Sequence, residues 1–585
     1  MRDKIEENLI RKERKNIMAN YKAFDPIEVA NNAINYLTSM TDESIDYLPY
    51  WLLLPHKKPA EAAHCKVDDA ELVASWFEGL SCLREMTGTD FGAEHQAAFR
   101  RHLMKAWGEH GLRYHTKYPW THTMHASFHE MGYVLSALNR CLVLNPNDAE
   151  AEEKASNLVR GMRSLVIERK TKVFWSGDSP EPAKNYMFPN DIYLQDGGFN
   201  MEYHTGRGEQ PIRNGVILYP LVQRYALTGD EVALDLAVGY TNYLLGASKY
   251  FSYNMEFYGH VHSSLWVASG MVMLGRLIGE ELYIKCGKQI YEHVREVSSS
   301  YGWVPEFMKW KPFEEENCET CCIKDAIECA YELIQCGYEE YWVDINLYVR
   351  NMLVENQVTH TKYVVVDNNL PDDKEKGITY KDMNTRMIGG FSGGTKPNTM
   401  SLTKFRSIAG CCAGFGPVGL FKAWNLSVVE TEGRVTINIP LNKEVATAVV
   451  KNLYPNEGGM VVTAKVDTEV AFRYYDYMGA KEDIKFTVNG EEVKAVEDGN
   501  LLVVAAKAGD VVAYAHHIEN VTKPEFVCDK TYEVVWRGPD VVDILPHGEH
   551  MRLFQRNLDI PFVEPSPEEV AFTGAENYGP TQQKR

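Results

Sequence analysis

The 585-residue chain is too long for one ordinary domain, and its length fits two or three domains or one large ring with an accessory module. A formal charge of -20, from 61 Lys and Arg against 81 Asp and Glu without a basic cluster, excludes a protein built to grip a nucleic-acid backbone; 45% hydrophobic and 24% charged residues is a globular balance. The N-terminal MRDKIEENLIRKERKNIMANY lacks the apolar core of a signal peptide and no apolar run approaches the roughly 18 residues of a membrane span, so a cytoplasmic protein without a membrane partner is expected. Its 12 cysteines should then be reduced thiols rather than a disulfide framework.

From about residue 27 to 350 the apolar spacing is helical, as in AELVASWFEGLSCLREMTG and NGVILYPLVQRYALTG. Helices stop on Gly or Asn and restart on an acidic residue at TGTD (Thr87), LNPND (Leu144), TGDE (Thr228), IGEE (Ile278) and CGYEE (Cys336). These five marks stand between about 50 and 85 residues apart, too irregular for a tight solenoid. Helical hairpins with variable insertions, closed as an (α/α)6 barrel over residues 1–425, are predicted; an open α-superhelix is the alternative. After about Leu426, runs such as RVTINIPL, GGMVVTAKV and DIKFTVNGEEVKAV alternate, and Asn489-Gly490 is a type I′ hairpin signal. A β-sandwich module over 426–550 and a loosely held tail over 551–585 are predicted.

Candidate polar positions begin in AAHCKVDDAELVASWFEG, where His64, Asp68 and Asp69 stand at a helix start; an N-cap is the simple role for the aspartates and ligand contact the sharper one. HTMHASFHEMGYVLSALNRCL sets His125 and His129 four apart, read as one helical face, without the H-E-x-x-H order of a metalloprotease. MEYHTGRGEQPIRNG brings Glu202, His204, Arg207 and Arg213 into a polar loop. YGHVHSSLW opens another helix with His260 and His262; residues two apart do not share a helix face, so one enters a cleft, and His260 is preferred.

Asn317 to Cys322 reads N-C-E-T-C-C, and Gly410-Cys411-Cys412 follows about ninety residues later in a Gly-rich segment. Thiolates and a carboxylate are ordinary zinc ligands and four of them complete a tetrahedral shell, although the spacing matches no zinc finger. Buried thiols that merely fill core are the equal alternative at this point.

The run E-T-C at Glu319 to Cys321, then YWVDINLYVRNMLVENQ from Tyr341 to Gln357, then the C-C pair, resembles the β-L-arabinofuranosidase family, glycoside hydrolase family 127. FTVNG, AGDVV and WRGPDVV continue the resemblance in order, so that it covers about Asn214 to Val542. It implies an (α/α)6 barrel followed by β-sandwich modules. It also implies zinc held by Glu319, Cys321, Cys411 and Cys412, with Cys411 as nucleophile. Glu306 in GWVPEF is the choice for the general acid/base, with Glu314, Glu315 and Glu316 as competing acids and Cys318 and Cys322 as competing ligands.

The implied activity is retaining removal of a terminal furanosyl residue from a small oligosaccharide or glycoside; His125, His129, His204 and His260 are the residues read as contacts for its sugar hydroxyls, against packing or solvated-loop roles of equal standing. A-G-F-G-P after the pair departs from the prolines and Asn usual in the family and puts the shape of the site near Cys411 in question. Two other functions remain open: an (α/α)6-barrel sugar epimerase or lyase working through histidines, and a non-catalytic carbohydrate-binding protein with structural zinc. A homodimer is among the assemblies the sequence allows.

Overall fold

The computed structural model describes residues 20–64, 69–118, 125–171, 183–188, 192–194, 198–199, 214–308, 317–400, 408–549 and 551–564. They form two units: Ile27–Ala423 with Phe526–Lys530, and Trp424–Glu525 with Thr531–Glu564 and the segment up to Pro26.

The helical unit opens with α1 (Pro26–Ser39) and continues with α2 (Asp69–Thr87), α3 (Ala93–Leu103), α4 (Phe128–Leu144), α5 (Ala149–Leu165), α6 (Leu218–Thr228), α7 (Glu231–Leu244), α8 (Val261–Ile278), α9 (Glu281–Arg295), α10 (Thr320–Ile334), α11 (Trp342–Tyr348) and α12 (Gly410–Ser427). The five stop marks fall at the ends of α2, α4, α6, α8 and α10. Gly88, Gly229, Gly279 and Gly337 there take left-handed φ values of 66°, 72°, 74° and 92°, which a side chain disfavours. The chain restarts as the marks predict: Asp148, Asp230 and Glu280 cap α5, α7 and α9, each side chain accepting a backbone N–H of the first turn.

Helices α2, α4, α6, α8 and α10 lie side by side in that order. Helix α12 closes the ring: a Cβ on Gly79 of α2 would meet the Gly414 carbonyl oxygen of α12 at 2.4 Å, and one on Gly419 would meet Lys324 of α10 at 3.1 Å. The result is the (α/α)6 barrel, with α3, α5, α7, α9 and α11 outside and α1 against the ring through Tyr36, whose ring centroid is 5.6 Å from that of Trp76. The sixth pair is not a hairpin, because α1 and α12 come from opposite ends of the unit.

The expectation that no segment reaches membrane-spanning length fails at α8. Among the described residues it is the one helix long and apolar enough to cross a membrane. Its surroundings give the reason: it is an inner helix with Val261 to Val272 buried on every side.

The second unit is built from alternating strands, as its sequence pattern requires. One sheet has the order β1-β2-β6-β10-β9, comprising Val428–Thr431, Arg434–Ile437, Thr468–Arg473, Leu501–Ala506 and Val496–Asp498. The other has the order β3-β4-β5-β11-β7-β8, comprising Lys443–Glu444, Ala448–Asn452, Gly459–Ala464, Val511–Ala515, Lys485–Val488 and Glu491–Val493. Phe472 of the first meets Tyr514 of the second with ring centroids 5.0 Å apart, which makes the pair a β-sandwich. Asn489 and Gly490 take φ values of 54° and 84°, the type I′ turn that joins β7 to β8. In the stretch 551–564, Met551, Leu553 and Phe554 are buried, and Lys22 N–H donates to Arg556 O at 2.8 Å.

Candidate metal centre

The two cysteine motifs meet because each begins an inner helix. Glu319 is the extended residue before α10 and Cys321 lies in its first turn, while Cys411 and Cys412 lie in the first turn of α12. Helix α12 is held at that height by Trp76 of α2, whose Nε1–H donates to Gly410 O at 2.8 Å. The sequence left Cys411-Cys412 in a Gly-rich segment; the glycines instead allow close helix packing, since a Cβ on Gly414 would sit 2.7 Å from the Ser75 backbone.

One carboxylate oxygen and three sulfurs lie within 4.8 Å of one another. Cys321 Sγ is 3.4 Å from Cys412 Sγ, and Glu319 Oε1 is 3.4 Å from Cys411 Sγ and 3.6 Å from Cys412 Sγ. A tetrahedron built on metal–sulfur bonds of about 2.3 Å has edges of about 3.8 Å, so the donor set is close to the size and composition a tetrahedral divalent cation needs. Burial pushes the Cys321 thiol well above its ordinary value. At Cys411 the hydrogen bond with Cys321 lowers it, but Cys412, burial and Glu319 together outweigh that and raise it. At Cys412 burial is outweighed by hydrogen bonds from Cys321 and Cys411, which bring it down. Burial thus works against three thiolates in this group, and a bound cation is what three thiolates require. Two helix N-termini aimed at the sulfurs act in the same direction.

Cys318 and Cys322 do not join this group. Both are buried, and burial raises both thiols well above the ordinary range. Cys318 is tied into the backbone instead, its N–H donating to Thr395 O at 2.8 Å.

Glu306 reaches the centre through strand pairing. Gly259 and His260 pair with Met308 and Phe307, Val261 N–H donates to Glu306 O at 2.9 Å, and Glu306 N–H donates to Asn317 O at 2.8 Å. This brings His260, Glu306 and Glu319 within 4.8 Å of one another. His260 Nε2 is 3.7 Å from Glu319 Oε2, and Glu306 is 6% exposed.

The histidine pair of α4 divides. His125 lies in a short strand, His125–Ser127, ahead of the helix, so it shares no helical face with His129. Its ring centroid is 3.9 Å from that of His115, whose Nε2 is 2.7 Å from Glu130 Oε2. His129 instead stands 3.6 Å from Glu71 of α2. Asp69 accepts from buried Arg113 at 3.0 Å, a structural ion pair, and His64 Nδ1 is 2.8 Å from Pro49 O. Trp266 and Trp303 are core. His122, His204, Glu202, Arg207, Arg213, Asp68 and Glu314 to Glu316 lie outside the described residues.

Sequence reasoning set His262 aside in favour of His260 and passed over the rest of a buried layer beneath the cysteines. His262 Nε2 is 2.6 Å from the Tyr133 hydroxyl, His262 Nδ1 contacts Asp325 Oδ2, and Lys324 Nζ lies 3.1 Å from Asp325 Oδ1. The available signal was spacing: Asp325 follows Cys321 by four residues, Phe415 follows Cys411 by four, and Tyr133 follows His129 by four.

No protein-family profile and no curated protein matches the sequence. Among solved structures, a family 127 β-arabinofuranosidase superposes with a TM-score of 0.54 at 14% identity, covering 88% of this chain and 81% of its own. A family 127 β-L-arabinofuranosidase from Geobacillus stearothermophilus T6 gives 0.52 at 13%, covering 88% and 80%. A third structure, described as a glycoside hydrolase, gives 0.54 at 13%, covering 86% and 84%. The chain thus shares the fold of the family 127 β-arabinofuranosidases, an (α/α)6 barrel followed in sequence by β-structure.

Proposed function

We propose that the protein is a retaining glycoside hydrolase that removes terminal furanosyl residues of the β-L-arabinofuranosyl type from small oligosaccharides or glycosides in the cytoplasm. The observation that carries this reading is the position of Glu319: its carboxylate is 3.4 Å from the Cys411 sulfur and within 4.8 Å of both Glu306 and His260. A thiol, a second carboxyl group and an imidazole thus gather around one carboxylate, which supports a double displacement with Cys411 as nucleophile and Glu306 as acid/base.

In this reading zinc, held by Glu319, Cys321, Cys411 and Cys412, supplies the positive charge that keeps the thiols deprotonated at neutral pH. Glu306 donates its proton to the glycosidic oxygen as Cys411 Sγ attacks the anomeric carbon; the carbon–oxygen bond breaks and the alcohol leaves. The Glu306 carboxylate then takes a proton from water, the hydroxide oxygen bonds to the anomeric carbon, and the carbon–sulfur bond breaks to return Cys411. His129 and His260 are the proposed contacts for sugar hydroxyls nearest the cluster, with His204 as a further candidate. His125 is a weaker one, since its ring packs against His115 with centroids 3.9 Å apart.

The test is release of nitrophenol from a panel of 4-nitrophenyl furanosides, the β-L-arabinofuranoside included. The wild-type protein turns one of them over and Cys411→Ala does not; full activity in Cys411→Ala removes the nucleophile assignment.

A further inference from the structure

We propose that Tyr133 is a positioning residue for His129, fixing the orientation and tautomer of that imidazole through a buried chain that ends on Asp325. The inference rests on the reading of His129 as a sugar contact.

The chain starts at the deep end. Asp325 is fully buried, and both of its carboxylate oxygens are engaged, Oδ1 by the Lys324 ammonium at 3.1 Å and Oδ2 by His262 Nδ1. Lys324 is itself held by Glu328 at 2.6 Å and lies 4.2 Å above the Trp266 ring, so the cation stays in place. An aspartate paired in this way accepts from Nδ1–H of His262. His262 Nε2 in turn lies 2.6 Å from the Tyr133 hydroxyl and holds it in place. The hydroxyl so held lies 3.5 Å from His129 Nε2.

Glu71 Oε2 lies 3.6 Å from the same Nε2. The Tyr133 hydroxyl and the Glu71 carboxylate thus flank one nitrogen of the ring and set which way it faces. The geometry of the rings fits this role. Tyr133 meets His129 edge-on at 88° with centroids 5.1 Å apart, and also packs 5.2 Å from Phe415, one turn beyond Cys411. Helices α4, α8, α10 and α12 all contribute to this layer, and two of them, α10 and α12, also carry the clustered cysteines.

Tyr133→Phe keeps the ring and removes the hydroxyl. It is expected to raise KM for the aryl furanoside about five- to twentyfold with kcat within threefold, and to change the melting temperature little. In a His129→Ala background the same substitution should add less than twofold, because the ring it positions is gone. An equal effect in both backgrounds overturns the proposal in favour of general packing, as does an unchanged KM. Imidazole-15N NMR provides a readout independent of turnover. His129, identified by loss of its signal in His129→Ala, should show a single tautomer in the wild-type protein and a mixed population in Tyr133→Phe. Wild-type protein inactive on every furanoside refutes the glycosidase reading alone, whereas an unchanged His129 tautomer in Tyr133→Phe refutes the role of Tyr133.

Discussion

Cys321 Sγ and Cys412 Sγ stand 3.4 Å apart although 91 residues separate them in the chain. The contact exists because two neighbouring inner helices, α10 and α12, start at the same end of the barrel and each carries its cysteine in the first turn. Partial positive charge at both helix ends converges on the sulfurs, where it favours thiolate. The cluster is thus a property of the barrel's polarity as much as of the motifs.

That placement predicts metal stoichiometry. The purified protein should carry about one zinc per chain by elemental analysis, and Cys321→Ser should lose it, while Cys318→Ser keeps it because Cys318 lies outside the donor group. Free metal at a hundred times its dissociation constant should stabilise the fold by about 2.7 kcal/mol, read as a rise in the unfolding midpoint that Cys321→Ser lacks. Metal-free wild-type protein that cannot be loaded, or a fully loaded Cys321→Ser, would sink the assignment.

Close packing of α2 on α12 predicts a second effect. Gly79→Ala places a methyl 2.4 Å from the Gly414 carbonyl oxygen, a backbone atom that cannot swing away. The expected loss is about 1–3 kcal/mol in urea unfolding, together with weaker metal retention, because the helix that must shift begins with Cys411 and Cys412. An Ala variant as stable as wild type would show that the two helices have slack.

Much of the barrel was legible in Gly88, Gly229, Gly279 and Gly337, because a helix stop followed by an acidic cap is local chemistry. The sixth pair was not, because α1 and α12 are distant in sequence and no turn joins them. The Glu and three Cys of the candidate centre stood out by residue type, yet type alone read equally well as buried thiols until the fold brought the four together. Tyr133 and Asp325 did not stand out, since a lone Tyr or Asp within an apolar helix reads as core until the neighbouring helices are in place. The helical face assigned to His125 and His129 failed because the helix starts at Phe128, three residues after His125.

Glu306 predicts a dependence on leaving group. Glu306→Gln cannot donate the proton, so glycosides with an alkyl leaving group should lose about 10²–10⁴-fold in kcat, whereas nitrophenyl glycosides, whose leaving group departs without help, should lose far less. The ratio of the two losses is the measurement. Equal losses on both substrate classes would assign proton transfer to another group.

Acid sensitivity is predicted at His125. Burial, and then the neighbouring His115, push its imidazole down to about 4 in the folded protein, against about 6.5 in an unfolded chain. Between those values the unfolded chain binds a proton that the folded one refuses, so the contribution is fully present above pH 6.5 and is lost as pH falls toward 4. The slope is about 1.4 kcal/mol per unit and the total about 3 kcal/mol. Glu130 acts at lower pH: burial is outweighed there by His115, which brings the carboxyl down to about 2, so its share is lost only below the ordinary carboxylate range. Other buried histidines, such as His102, shift in the same direction, so the wild-type slope alone does not isolate His125. The difference between wild type and His125→Gln does: urea unfolding at pH 7.0, 5.5 and 4.5 should show the variant losing less stability on acidification by about 1–3 kcal/mol, and parallel pH curves would place the acid sensitivity elsewhere.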